Sequence, residues 1–228
     1  MGLPPGRGRL GRVIRPVPAL LCTALLLAGC AGGATPAPAP AAGSVNCSYP
    51  ASGTPARPVD PPASTASTVG VVSLTLTMSG GDVTLTGDRS RTPCTLNSFE
   101  SLAKQGYFDD TGCHRLADSG MFLVQCGDPT GSGRGGPGYR FPDELGGGAS
   151  YPAGTVAMAN AGPNANGSQF FIVYADSGLP PDFTVFGRVD EASLKVIRAM
   201  ASDGQDYSYG DGTGRPRNPF RIVRVSVG

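Results

Sequence analysis

From Thr68 onward, short runs of alternating apolar and polar residues succeed one another, each soon ended by Gly, Pro, Asn or Asp, and this punctuation confines the chain to short strands. Val71, Ser73, Leu74, Thr75, Leu76 and Thr77 read as a half-buried strand. Ser79-Gly80-Gly81-Asp82 turns the chain, and Val83-Thr84-Leu85-Thr86 returns as the second arm of a hairpin. Further strands are expected at 113–116, 121–126, 155–160, 169–174, 183–189 and 219–227. Only two stretches carry helical spacing. Thr92 offers a hydroxyl N-cap before Pro93, Leu96, Phe99, Leu102 and Ala103 recur on one face, and Gly106 stops the helix. Leu194, Ile197 and Met200 mark the second helix. The expectation is a mostly β fold: a closed eight-stranded antiparallel β-barrel capped by two α-helices.

Upstream the composition changes. Arg7, Arg9, Arg12 and Arg15 stand in a stretch without acids, followed by an apolar run over 17–28. That order reads as an export signal, and roughly a dozen apolar residues are too few to span a bilayer. The run ends at Leu27-Ala28-Gly29-Cys30, which resembles the bacterial lipobox, where the Cys is acylated and becomes the mature N-terminus. Residues 1–29 therefore read as a lipoprotein signal peptide. Residues 30–67 read as lipidated Cys30 and an Ala/Pro/Ser-rich tether too apolar-poor to order itself, and 68–228 as the folded domain. The expected address is extracytoplasmic, lipid-anchored to the outer face of the cell membrane. Cys30→Ala is expected to release the protein into the soluble fraction, and unchanged membrane partition would remove the anchor. Four of the 18 basic side chains lie in that signal, so the remainder carries more acids than bases and offers no footprint for nucleic acid.

Three segments carry candidate chemistry. Cys113-His114-Arg115-Leu116 holds the one histidine of the chain. The stretch from Gln125 to Gly138 contains a literal Gly-x-Gly-x-x-Gly at Gly131, Gly133 and Gly136, but Pro137-Gly138-Tyr139-Arg140-Phe141-Pro142 cannot supply the helix a dinucleotide site needs. A plain loop is the alternative. From Ala157 to Ile172, two strands flank a loop of Asn, Gly and Pro, with Asn160 and Gln169 near apolar Phe171. An apolar floor edged by amides suits an extended peptide.

Taken in order, Cys-His-Arg-Leu, Gln-Cys-Gly-Asp-Pro-Thr-Gly, Phe-Pro-Asp-Glu, the run from Met158 to Ile172 and Thr184-Val185-Phe186-Gly187-Arg188-Val189 resemble the cyclophilin signature over about residues 69–227. The resemblance implies a cyclophilin-like fold and peptidyl-prolyl cis-trans isomerisation. It implies Arg115 as the catalytic cation, Phe122, Leu123, Phe171, Leu179 and Phe183 as the proline pocket, Gln125 and Gln169 as its polar lining, and Asn160 as the residue holding the substrate backbone. His114 is a possible support for Arg115. The chain lacks tryptophan, so the position that contacts cyclosporin in the family falls near Ser177 or Gly178.

Such a reaction needs no nucleophile, metal or cofactor. The implied partners are proline-containing segments of exported proteins, and the membrane through the N-terminal lipid, with a monomer expected. A non-catalytic proline-peptide binder, a chaperone or adhesin, is the competing reading of the same groove. A serine hydrolase using His114 lacks the Gly-x-Ser-x-Gly elbow. Cys47, Cys94, Cys113 and Cys126 remain after export, which permits disulfides. Four cysteines allow three complete pairings, and buried thiols are equally open.

Overall fold

Strand alternation and turn chemistry build most of the molecule. The computed structural model describes residues 41–146 and 150–228; the expected signal peptide and the expected lipidation site, Cys30, lie outside the described residues. β1 (Ser44–Asn46) and β2 (Thr65–Ser67) form a small antiparallel pair. The expected hairpin is β3 (Val71–Met78) and β4 (Gly81–Asp88), joined at Ser79-Gly80. Gly80 lets that turn pack closely, since a Cβ there would stand 2.5 Å from Met200 Cγ of the second helix and displace that side chain. Helix α1 (Pro93–Lys104) is followed by β5 (Thr111–Gly112), β6 (Arg115–Ser119), β7 (Met121–Cys126), β8 (Thr155–Asn160), β9 (Asn166–Val173) and β10 (Val185–Val189). Helix α2 (Glu191–Ala201), β11 (Thr213–Gly214) and β12 (Arg221–Val227) complete the chain.

The mostly β architecture with two helices matches expectation; the closed eight-stranded ring does not. One sheet of ten strands runs β11-β6-β7-β9-β8-β10-β4-β3-β12-β5, with β11 and β5 as its edges. The reason lies at Cys113 and His114, where one continuous segment changes partners. The Cys113 N–H donates to Phe220 O (2.8 Å), extending the β5–β12 pairing, whereas the His114 N–H donates to Gln125 O (3.1 Å), beginning β6–β7. The two flanks are therefore joined by the chain itself and by the Cys113–Cys126 disulfide, not by a ladder.

The end of α1 is as read: Gly106 adopts a left-handed φ of 66° and its N–H bonds to Ala103 O. Its beginning is not. The Thr92 side chain makes no capping bond, and its buried Oγ1 has no partner. Glu144 caps instead, its Oε1 accepting from the Cys94 N–H (3.0 Å) and its Oε2 from the N–H (2.8 Å) and hydroxyl (2.7 Å) of Thr95. A carboxylate is favoured there by both the orphan N–H groups and the helix dipole. Glu144→Ala is expected to cost about 3 kcal/mol in urea denaturation, since charge-assisted bonds contribute about 1.5–3 kcal/mol each and are not additive. Thr92→Val should leave the midpoint nearly unchanged.

Residues 44–67, expected as part of a loose tether, are fastened to the folded domain. Cys47 is bonded to Cys94, and the Tyr49 hydroxyl donates to Cys94 O (2.7 Å) while its ring meets Tyr139 and Phe141 edge-on. Low intrinsic hydrophobicity does not keep residues 44–67 loose, because a covalent bond and backbone pairing hold them to the domain.

Adjacent residues of each strand serve two clusters. Phe170 and Ile172 of β9, Val124 and Cys126 of β7, and Val156 and Met158 of β8 join the main core with Leu96, Phe99 and Leu102 of α1 and Leu194 and Ile197 of α2. Phe171, Val173, Leu123 and Ala157 point to the opposite face and form a second, smaller cluster with Ala117 and Tyr151. That second face carries the site.

Candidate active site

Register assembles the site before any side chain is considered. Arg115 of β6 lies opposite Gln125 of β7, Gln125 opposite Phe171 of β9, and Phe171 opposite Ala157 of β8. Directly paired residues share a face, so one row crosses four strands from cation through amide to aromatic ring. Beside it opens a cleft of about 300 Å³ bordered by Arg115, Leu123, Gln125, Asn160, Phe171, Leu179 and Phe183. Its aromatic wall is built by Phe171 and Phe183, whose rings meet at right angles with centroids 5.3 Å apart.

Arg115 is held by three partners. Nε donates to Thr213 Oγ1 (2.8 Å), Nη1 to Gln125 Oε1 (3.3 Å) and Nη2 to Asp211 Oδ2 (3.1 Å). A guanidinium has five N–H groups, so two remain for a ligand. The ion pair is not buried, with the Arg115 side chain 26% and Asp211 54% exposed. The Asp211 carboxyl is held below its ordinary range first by the Thr213 hydroxyl and further by Arg115.

Behind Arg115 the amides form a chain. Gln125 Nε2 donates to Gln169 Oε1 (2.8 Å), and Gln169 Nε2 donates to Gly133 O and Gly135 O (both 3.0 Å). Gln169 thus backs the cleft instead of lining it. The glycine-rich loop is not slack: fully buried Asp128 accepts from the N–H and hydroxyl of Thr130 and from the Gly133 N–H (2.7 Å). Burial pushes its carboxyl up, but these bonds outweigh burial and hold it below the ordinary range.

Besides Gln169, two further expectations need correction. Phe122 does not reach the cleft; its ring packs edge-on against Tyr174, and it belongs with the main core. Consecutive strand residues face opposite sides, so Phe122 and Leu123 cannot both line one pocket, and Met121 takes the place beside Leu123. His114 is buried away from the cleft with Nδ1 unpartnered. Its support for Arg115 comes through the backbone, the N–H bonding to Gln125 O and the carbonyl accepting from the Tyr209 hydroxyl (2.9 Å). Asn160 stands at the cleft edge, its amide donating to Asp182 O (3.0 Å) and accepting from the Gly162 N–H (3.2 Å).

Sequence reasoning missed Asp211, Thr213 and Tyr151. Asp211-Gly212 signals a turn but not its destination, which pairing of β11 with β6 supplies. Tyr151 is buried beneath the two phenylalanines and fixes Phe183 by donating to its carbonyl (3.3 Å) and accepting from its N–H (3.1 Å). A larger hollow of about 460 Å³ opens beyond Phe183, but two of its polar groups are already spent: Glu144 caps α1, and Asp88 accepts from Ser90.

Burial lowers the His114 imidazole; Asp128 pulls the other way without offsetting it, and Arg115 and Arg215 add to the depression. The unfolded chain therefore takes up a proton below about pH 6.5 that the folded ring refuses. Stability from this group is complete above that pH and declines as pH falls toward the folded value. Urea midpoints measured from pH 8 to 5 should fall for the parent and flatten in His114→Gln. Acid loss at the aspartates, whose folded values are depressed, begins only nearer pH 4.

Comparisons with known proteins bear on the family and the fold. The family model for cyclophilin type peptidyl-prolyl cis-trans isomerase/CLD matches residues 73–227. The "Probable peptidyl-prolyl cis-trans isomerase B" of Mycobacterium leprae is 44% identical over 176 residues, covering 70% of this chain and 60% of that protein. Its namesake from Mycobacterium tuberculosis is 45% identical over 167 residues, covering 68% and 54%. The chain thus spans less than two thirds of the length of these relatives. A solved cyclophilin type isomerase of Cryptosporidium parvum superposes with a TM-score of 0.60 at 27% identity, covering 70% of this chain and 98% of that one. By the match over 73–227 and by the fold that carries the cross-strand row, the chain belongs to the cyclophilin-type peptidyl-prolyl cis-trans isomerase family.

Proposed function

We propose that this protein accelerates rotation about X–Pro peptide bonds in exported proteins, with Arg115 acting over the apolar cleft. Amide conjugation opposes that rotation by about 18–20 kcal/mol. As the bond twists, the proline nitrogen becomes pyramidal and gains a lone pair that the planar amide lacks. A guanidinium N–H aimed at that nitrogen, or at the neighbouring carbonyl oxygen, binds the twisted state better than the planar one, and each 1.4 kcal/mol of such difference is about tenfold in rate. Phe171, Phe183, Leu123 and Leu179 hold the ring while the rest of the peptide turns, and the Asn160 backbone steadies the substrate chain.

The observation that carries the reading is the row Arg115–Gln125–Phe171, with two guanidinium N–H groups unspent beside an apolar slot. Every residue of this row lies on one chain, so a monomer suffices. Acylated Cys30 would tether the protein at the outer face of the membrane, where newly exported chains fold. A binder without turnover would use the same cleft but would not need an oriented cation. The test is an isomerisation assay on an X–Pro peptide with the chain from Ala41 onward, which keeps the Cys47–Cys94 arm, beside Arg115→Ala. Acceleration lost in the variant supports the enzyme, and binding without acceleration in the parent supports the binder.

A further inference from the structure

Residues 50–57 precede the family's matched region, 73–227, yet they are bonded to the loop on which the site leans. The position of Gln125 depends on Gln169, and that of Gln169 on the carbonyls of Gly133 and Gly135. Asp128 holds that loop from inside. The arm holds it from outside. The Ser52 N–H donates to Gly138 O and the Ala56 N–H to Gly136 O, both at 2.8 Å, while the Arg140 N–H donates back to Pro50 O (3.1 Å) and Ala51 bridges Tyr139. The approach is close. A Cβ on Gly138 would lie 2.9 Å from Pro55 Cδ, and one on Gly135 would lie 3.1 Å from Ala56 Cβ. Arg57 then fastens the arm to the turn after α1, Nη1 donating to the carbonyls of Gly106 (2.8 Å), Tyr107 (3.1 Å) and Asp109 (2.7 Å).

We propose that the arm 50–57 is a positioning element of the active site, holding the glycine-rich loop so that Gln169 and Gln125 present Arg115 at a fixed angle. The inference rests on the catalytic reading of Arg115. None of the cleft's lining residues belongs to the arm, so the arm touches no substrate and acts through the amide chain. Its influence falls on the rotating state and not on ring binding, because the apolar walls are set by β7, β8, β9 and the 179–183 segment. A displacement of about 1 Å in a positioned group can cost as much as 10²-fold in rate.

The test uses the full chain carrying Ala56→Pro with Arg57→Ala, which deletes one N–H to the loop and the three anchoring bonds. The expected result is a kcat lowered about tenfold with KM within about twofold, since the misplaced group acts only on the twisted bond. Shifted side-chain amide resonances of Gln125 and Gln169 should accompany it, and Arg57→Lys alone should recover most of the rate. A kcat within twofold of the parent, or a loss confined to KM, would overturn the proposal. Should the double variant not fold, Ala56→Pro alone reads the same quantities. Arg115→Ala in the same assay separates the two claims. If that variant remains fully active, the site reading itself fails; if it is inactive while the arm variants keep their rate, only the arm inference falls.

Discussion

Arg115→Ala is expected to lower kcat/KM for X–Pro isomerisation by about 10²–10³-fold, the loss typical when one preorganised donor is removed from a developing charge. The side chain leaves the Gln125 carbonyl oxygen, Thr213 and Asp211 without their shared donor, but the half-exposed Asp211 can turn to water, so the fold should survive. Arg115→Lys should rescue little. An ammonium can satisfy Asp211 or Gln125 as a point charge, but it lacks the planar fork that holds three partners while leaving donors for the substrate. Peptide affinity in both variants should change far less than the rate, because Phe171, Phe183 and Leu179 remain. An Arg115→Ala protein with parental kcat/KM would end the mechanism.

Loss of the two disulfides should produce the largest change in stability. In the loop-entropy picture, the Cys47–Cys94 bond, with a sequence separation of 47, contributes about 4 kcal/mol, and the Cys113–Cys126 bond, with a separation of 13, about 3 kcal/mol. Domains are typically stable by about 5–15 kcal/mol, so reduction removes a large share. The Cys47→Ser/Cys94→Ser variant should shift the denaturation midpoint more than Cys113→Ser/Cys126→Ser. The second pair should nevertheless affect catalysis more, since its cysteines flank His114-Arg115 on one side and Gln125 on the other. Chemical denaturation with and without a dithiol reductant checks the order, and a reversed ranking would show that native-state contacts outweigh loop length.

The amino-acid order announced the hairpin of β3 and β4, the inner face of α1 and the paired phenylalanines of β9, because period-two and period-3.6 patterns record which side of an element is buried. The same logic, applied to β7, would have separated Phe122 from Leu123, since neighbours on a strand face opposite ways. Thr92 misled for a different reason. A hydroxyl before Pro93 is a sound local cap signal, yet a carboxylate 50 residues away along the chain, Glu144, reaches the same N–H groups with a stronger bond.

What local order could reach ends there. Residue types and spacing indicated the strands and the two helices, and the family resemblance of short motifs pointed to Arg115, Gln125 and Phe171, because both depend on patterns confined to short stretches. Only the folded chain decided the partners: Asp211 and Thr213 behind Arg115, Tyr151 beneath Phe183, the pairing of cysteines, and the arm against the glycine loop. These contacts join residues up to about a hundred positions apart, and no composition or period encodes which distant segment a sheet will bring alongside.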